Sequence, residues 1–377
     1  MGLFGSPQQY LGIDIGSSSI KIVELGSEKK RPKLITYGYI EQQNTILTSA
    51  TQEAKEAVVK GIQHIQQQAR TTSTQVIAAL PSYTVFASVI RLPQMSKKEL
   101  LQAVTVEARK FVPMPIEEMI LDWKILDDKV LEQHYPTDTA SFSEAETQQN
   151  QQATIQSKHK KYLKILLTAA PRDLVARYID IFKQAKLQLV SLETESFALE
   201  RSLIGHESSP VMMIDIGATA TTISVVADSV PLINRSIDVG GISITKAIAN
   251  SLNIAPERAE QFKRDFGLAQ PSTSTQSPIP KRIQFMMTSI INEIKYVLNQ
   301  YENQTQGRMR IEKVVLAGGS AWLPNITTYL SGQLNIKVFI GDPWSRVMYP
   351  LELKPVLQEL GPRMAVAVGL GMREIVE

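Results

Sequence analysis

The sequence predicts an α/β protein built from two similar lobes, and three observations carry that expectation. A strand–Asp-x-Gly–turn–strand pattern occurs twice, as Gly12-Ile13-Asp14-Ile15-Gly16-Ser17-Ser18 and as Ile214-Asp215-Ile216-Gly217-Ala218-Thr219. Short β-branched runs alternate with amphipathic helical stretches along most of the chain. The 377 residues, 43% of them hydrophobic, are enough for two or three packed units.

Strands are expected over residues 10–15, 20–25 and 33–41, the first two separated by Gly16-Ser17-Ser18-Ser19 and the third following Lys30-Arg31-Pro32. Residues 51–70 read as a helix with Ala54, Val58, Ile62 and Ile65 on one face, and 75–80 return to strand. After an extended run at 84–92, Ser96 with Glu99 three residues on forms a capping box that opens a helix over 97–111. Pro113-Met114-Pro115 stops that helix, and a strand at 119–126 completes an inserted β-α-β module. Residues 127–160 are rich in Gln, Ser, Thr and acidic residues, with Gln148-Gln149-Asn150-Gln151-Gln152 at their centre. Such a stretch buries too little apolar surface to offset the entropy of ordering, so a mobile loop is expected. A strand at 162–168, a helix at 172–186 and a strand at 187–192 follow.

The second lobe opens at 211–216 and continues with strands at 221–227 and 230–239. Helices at 242–252 and 256–266 precede a Pro/Ser/Thr linker at 270–280. A helix over 281–302 carries Ile283, Met286, Met287, Ile290, Ile291, Ile294, Val297 and Leu298, a packing stripe rather than a cofactor box. A buried strand at 314–317 runs into Gly318-Gly319, with a helix expected around 322–330. The resulting division is a first lobe at 1–82, 162–208 and 346–377, an insert at 83–161, and a second lobe at 209–345 with a helical subdomain at 251–304.

Composition narrows the function classes. Forty basic against 37 acidic residues, a net charge of +3, give no argument for nucleic-acid binding. The absence of cysteine removes disulfides, thiolate metal sites and cysteine nucleophiles. His64, His134, His159 and His206 have no metal-ligand spacing, so zinc is not expected. No apolar run approaches the ~18–20 residues needed to cross a bilayer. Gly2 and Ser6 fit a loose myristoylation pattern that short sequences match by chance, and no secretory signal is visible, so a soluble intracellular protein is expected.

The repeated motif suits a polyphosphate. Glycine lacks a Cβ, so Gly16 and Gly217 let main-chain N–H groups approach phosphate oxygens, and the Ser17, Ser18, Thr219 and Thr221 hydroxyls can donate to the same oxygens. Asp14 and Asp215 would repel phosphate unless Mg²⁺ lay between, held through its water shell. Lys21 follows the first turn and can reach a β- or γ-phosphate. A single Asp-x-Gly usually makes only a turn; two at matching places, with Gly318-Gly319-Ser320 after a later strand, favour phosphate. Gly240-Gly241 fits either a helix start or the site, and the residues alone leave this open.

These motifs give the chain a recognisable likeness. It resembles the actin-like ATPase superfamily, and within it the PilM family of type IV pilus assembly proteins. The likeness rests on Tyr10-Leu-Gly-Ile-Asp-Ile-Gly-Ser-Ser-Ser-Ile-Lys21, Ala79-Leu-Pro-Ser82 and Arg109-Lys-Phe-Val-Pro-Met-Pro115. It continues through Asp215-Ile-Gly-Ala218, Asp238-Val-Gly-Gly-Ile-Ser-Ile-Thr245, Ala259-Glu260 with Lys263, and Leu316-Ala-Gly-Gly-Ser320. The resemblance implies an actin-like (duplicated RNase H-like) two-lobed α/β fold with an FtsA-type inserted subdomain, binding ATP with Mg²⁺. By position, Asp14, Gly16, Ser17, Ser18 and Lys21 become the first phosphate loop, and Asp215, Gly217, Ala218 and Thr219 the second, with Gly241 completing that side. Glu260 and Lys263 match an adenosine-contacting helix, and Gly318, Gly319 and Ser320 an adenine turn.

For ATP hydrolysis a group must orient water, and Glu195, with Glu193 as the alternative, sits near the family position; either is also an ordinary helix-start carboxylate. ATP turnover is left open. The implied partner is the N-terminal peptide of PilN, docking between insert and first lobe, and through it PilO, the inner-membrane platform and the motor ATPases. Membrane association would then be peripheral, through the partner, with monomer, homo-oligomer or ring undecided. The alternatives are an FtsA-like membrane-associated filament, for which no C-terminal amphipathic tail is apparent, and a small-molecule kinase of the same fold.

Overall fold

The computed structural model describes residues 8–42, 51–112, 114–126, 162–205, 207–268 and 279–376. The Gln-rich segment at 127–160, most of the 270–280 linker, Gly2 with Ser6, and His134, His159 and His206 lie outside the described residues.

Each Asp-x-Gly motif sits at the tip of a β-hairpin. In the first, β1 (Gln9–Ile15) pairs antiparallel with β2 (Ser19–Glu28), which sets Asp14 opposite Lys21. In the second, β9 (Val211–Ile216) pairs with β10 (Thr221–Ala227), and Asp215 faces Thr222. Both turns close with the same bond, from Gly16 N–H to the Ser19 carbonyl (2.9 Å) and from Gly217 N–H to the Ala220 carbonyl (3.0 Å).

The duplication extends to whole sheets. With β3 (Arg31–Glu41), β4 (Gln75–Leu80) and β8 (Gln188–Thr194), the first sheet has the order β3-β2-β1-β4-β8. With β11 (Val230–Ile237), β12 (Lys313–Ala317) and β13 (Lys337–Ile340), the second has the order β11-β10-β9-β12-β13. Three antiparallel strands followed by two parallel ones recur in both. A third sheet of β5 (Phe86–Pro93), β7 (Tyr162–Pro171) and β6 (Met119–Ile125) is antiparallel throughout.

Helices cover these sheets as their apolar spacing requires. Helix α1 (Gln52–Ala69) starts at Thr51, whose hydroxyl accepts from Ala54 N–H, and buries Val58, Ile62 and Ile65 against Leu11 and Ile13. Helix α2 (Lys97–Phe111) has the expected capping box and lays Leu100, Val104 and Ala108 on Ile90, Ile165 and Leu167. The first lobe also holds α3 (Arg172–Gln184) and α4 (Glu195–Leu203). In the second lobe α5 (Gly241–Leu252), α6 (Pro256–Phe266) and α7 (Ile279–Gln304) precede β12; the α7 stripe packs on Met212, Ile214, Ile223 and Val225. The segment after Gly318 differs from expectation: a 3-10 turn, Gly319–Trp322, comes first, and α8 (Ile326–Leu334) starts later. Pro324 explains the delay, since it holds Leu323 out of the helical region, at ψ 127°.

The last helix, α9 (Lys354–Val376), lies along both lobes. Its Ala365, Val366 and Leu370 share a core with Ile77 and Leu199 on one side and Met213, Val226 and Ala317 on the other.

Candidate functional site

The two hairpin tips face each other across a cleft of about 670 Å³. Asp14, Gly16, Ser17, Ser18 and Lys21 line one wall, and Asp215, Gly217, Ala218, Thr219 and Gly241 the opposite one. Glu260, Lys263, Gly318, Gly319 and Ser320 close one end, and Glu195 sits at the bottom. The tips touch, Ser17 Oγ lying 3.1 Å from Thr219 Oγ1.

Charge at the floor is unbalanced. Lys21 Nζ lies 2.7 Å from Asp14 Oδ2, so one cation is already committed to one carboxylate. Burial, and then the Asp14 charge, push the Asp215 carboxyl up to about 6. Glu195 is pushed up to about 8, first by burial and then by Asp14 and Asp215; the Ser82 N–H, 2.9 Å from its Oε2, and Lys21 only partly offset this. Both groups are half-buried in the cleft lining. Three carboxylates against one lysine fit a divalent cation. Among the described residues no group of three or more His, Cys, Asp and Glu side chains is placed to ligate one directly.

The far end is tightly bonded. Lys263 Nζ contacts Glu260 Oε2 at 2.6 Å and donates to the Gly241 carbonyl (3.1 Å) and Thr245 Oγ1 (3.0 Å). Burial lowers the Lys263 pKa, although Glu260 opposes the shift. Burial works against Glu260 as well, yet the bonds from Lys263 and Thr245 outweigh it and hold that carboxyl below its ordinary value. Gly318 is required by its conformation: φ is +84°, and a Cβ there would stand 2.3 Å from Asp215 Oδ1. The Gly-Gly turn thereby lies directly against the second aspartate.

Two expectations change. Glu193 does not enter the cleft: it lies within β8, where Arg201 donates to both its oxygens at 2.8 and 3.1 Å and Arg373 approaches at 3.6 Å. A carboxylate so clamped is a structural ion pair, which leaves Glu195 as the candidate. Thr221 also turns away, donating to the Val239 carbonyl at 2.6 Å, and Thr222 lines the cleft in its stead. Sequence reasoning missed Tyr39, Tyr83, Trp322 and Arg363, which form the cleft walls. The Arg363 guanidinium lies 5.5 Å from the Tyr39 ring centre and donates to Glu41 at 2.9 Å, a contact between residues too far apart in sequence to be read as a motif.

Duplicated sheets meeting at a cleft of paired Asp-x-Gly turns, with a third sheet inserted in the first lobe, define an actin-like protein of the FtsA type. A family profile described as type IV pilus assembly protein PilM matches residues 12–140 and 149–375, and the chain belongs to that family. A solved PilM-PilN type IV pilus biogenesis complex shares the fold with a TM-score of 0.79 and 26% identity, over 99% of this chain and 100% of that one. MreB 5 of Spiroplasma citri bound to AMPPNP gives 0.52 at 13% identity, over 97% and 95%. Cell division protein FtsA of Streptococcus pneumoniae serotype 2 (strain D39 / NCTC 7466) is 22% identical over 194 residues, 47% of this chain and 42% of that protein. Cell shape-determining protein MreB of Escherichia coli (strain K12) is 23% identical over 177 residues, 40% and 51%. The chain thus spans about half or less of these curated relatives. Among the described residues no helix is long and apolar enough to cross a membrane.

Proposed function

We propose that this PilM-family chain binds Mg·ATP in the cleft and the N-terminal peptide of a PilN-type partner, linking the inner-membrane platform, PilO included, to the cytoplasmic motor ATPases. It would then work at the inner-membrane surface through that partner. The observation that carries this reading is convergence: residues from two motifs some two hundred positions apart, with the Gly318–Ser320 turn and the Glu260/Lys263 pair, line one cleft. In this reading Gly16–Ser18 and Gly217–Thr219 wrap the phosphates, and Lys21 bonds a terminal oxygen. Asp14 and Asp215 hold the water shell of Mg²⁺, which when bound supplies the positive charge that the floor lacks. Gly241, Glu260, Lys263 and Gly318–Ser320 seat the nucleoside. Glu195 is the carboxylate placed to orient a water, and it is ionised for that work only once a cation offsets the burial that holds it protonated.

For the peptide, a second opening lies where edge strands of all three sheets meet. Ala87–Val89 of β5, Thr194 of β8 and Pro231, Leu232 and Asn234 of β11 line it, with Leu166 and Phe197. An extended chain can add along such a strand edge, and the apolar residues offer side-chain seats. At about 20 Å³ the crevice is narrow, so a peptide must part its walls to seat a side chain. Calorimetric titration with a synthetic PilN N-terminal peptide, with and without Mg·ATP, tests the reading. Saturable binding is expected; no peptide binding in either state, with ATP still bound, would overturn the pilus-platform role.

A further inference from the structure

One wall separates the cleft from the crevice, and it is built from small hydroxyl side chains. Ser82, Ser196 and Ser224 are 3%, 1% and 1% exposed, so each hydroxyl needs a protein partner. Ser82 N–H donates to Glu195 Oε2 at 2.9 Å, on the cleft side. Ser82 Oγ lies 3.1 Å from Ser196 Oγ. From there, Ser196 Oγ donates to Asn234 Oδ1 at 3.2 Å, and Ser224 Oγ donates to the same oxygen at 2.8 Å.

The protons count out without remainder. A serine hydroxyl has one proton to give, and a carbonyl oxygen has two lone pairs. Ser82 gives to Ser196, Ser196 and Ser224 give to Asn234, and Oδ1 is filled; Ser196 Oγ also lies 3.2 Å from Ser224 Oγ, which ties the two donors together. Asn234 and Ser196 line the crevice, while Pro81 and Tyr83, either side of Ser82, line the cleft. The chain also crosses between lobes, since Ser82 and Ser196 belong to the first sheet's connections and Ser224 and Asn234 to the second sheet. Ser82 further opens the 3-10 turn that leads into β5, whose Ala87–Val89 form the crevice wall.

We infer that the Ser82–Ser196–Asn234 chain couples the two openings, so that a nucleoside triphosphate at Glu195 and an extended peptide in the crevice alter each other's affinity. The inference rests on the proposed function and names its regulation. A ligand that shifts Glu195 moves the Ser82 backbone, and a peptide that parts β5 from β11 moves Ser196 relative to Asn234. Either movement lengthens a buried hydrogen bond of the network, which disfavours independent rearrangement of the two ends. Ser82 acts as a positioning residue, because its side chain lines neither opening.

The test is a linkage measurement on the full chain. Mg·ATP affinity is measured by calorimetry with and without a saturating synthetic PilN N-terminal peptide, and peptide affinity with and without Mg·ATP. The native protein is expected to show the same coupling factor both ways, about fivefold or more. Ser82→Ala keeps the N–H to Glu195 and removes only the hydroxyl link; it should bring the factor to within about twofold of unity. Should Ser82→Ala fail to fold, Ser196→Ala cuts the next link, and the ratio of affinities is again the readout. An unchanged factor in a folded variant, or a factor of one in native protein that binds both ligands, overturns the relay alone. Failure of the native protein to bind nucleotide or peptide overturns the proposed function beneath it, and is seen before any variant is made.

Discussion

Glu195→Gln is expected to stabilise the ligand-free protein, by an amount that grows with pH. The Glu195 carboxyl ordinarily titrates at 4.5 but is pushed up to about 8 in the fold. Between those values the unfolded chain has released the proton and the folded chain has kept it. Stability contributed by this group is therefore fully present below 4.5 and is lost as pH rises toward 8, by up to about 1.4 kcal/mol per pH unit. At pH 7 the native chain has lost on the order of 3 kcal/mol through this one carboxyl, and the glutamine variant none. Asp215, raised from 3.8 to about 6, adds a loss of the same sign over a lower window that both proteins share. A glutamine oxygen can still accept from Ser82 N–H, so the fold keeps that contact. Urea denaturation from pH 5 to 8 should show the variant gaining steadily on the native chain; parallel stability profiles would show that Glu195 is not the strained group. The raised values of Glu195 and Asp215 describe the site in the same way: its floor disfavours its own negative charge.

Gly369→Ala should be the most damaging change of a single methyl group. Helix propensity alone favours alanine by about 1 kcal/mol, which would predict a gain. Geometry reverses the sign. A Cβ on Gly369 would stand 1.8 Å from the Ala198 carbonyl oxygen and 2.5 Å from its carbon, both backbone atoms of α4 that cannot swing aside. Helices α9 and α4 would have to separate, opening the shared core of Leu199, Val366 and Leu370. They would also break the 2.9 Å bond from Arg201 to the Gly369 carbonyl, which steadies the clamp on Glu193. A loss of about 3 kcal/mol or more is expected from such overpacking, read as a lowered urea midpoint or loss of soluble protein. Gly332→Ala is the control: it lies in α8 with open space at its Cβ, and should be neutral or slightly stabilising. Equal behaviour of the two variants would contradict the close-approach argument.

What the sequence made legible was whatever repeats or has a short period. The paired Asp-x-Gly turns, the Ser96/Glu99 box and the α7 stripe are local patterns, and the structure has each at its expected place. Helix α9 is not legible as a helix because it is buried on most sides: Met364-Ala365-Val366-Ala367-Val368 is apolar without a 3.6 period, and Pro362 and Gly369 argue against helix. Pro362 removes one N–H from the helix bonding, and its carbonyl accepts from Gly318 N–H at 2.9 Å, which ties α9 to the Gly318–Gly319 turn. Glu193 and Glu195 looked equivalent in sequence; the end of β8 and the bidentate Arg201 separate them. Ser82 ends the Ala79–Ser82 motif, but Ser196 and Asn234 carry none, and the association of the three exists only because segments from both lobes converge.

In the proposed function the paired aspartates of the two turns hold Mg·ATP between the lobes. Calorimetric titration of Mg·ATP into the native protein and into Asp14→Ala tests it most directly, with thermal unfolding of both recorded first. Saturable binding of one nucleotide by the native chain is predicted, weakened at least about tenfold in a variant that still unfolds cooperatively. Equal affinity in the two proteins would place the nucleotide elsewhere and contradict the account.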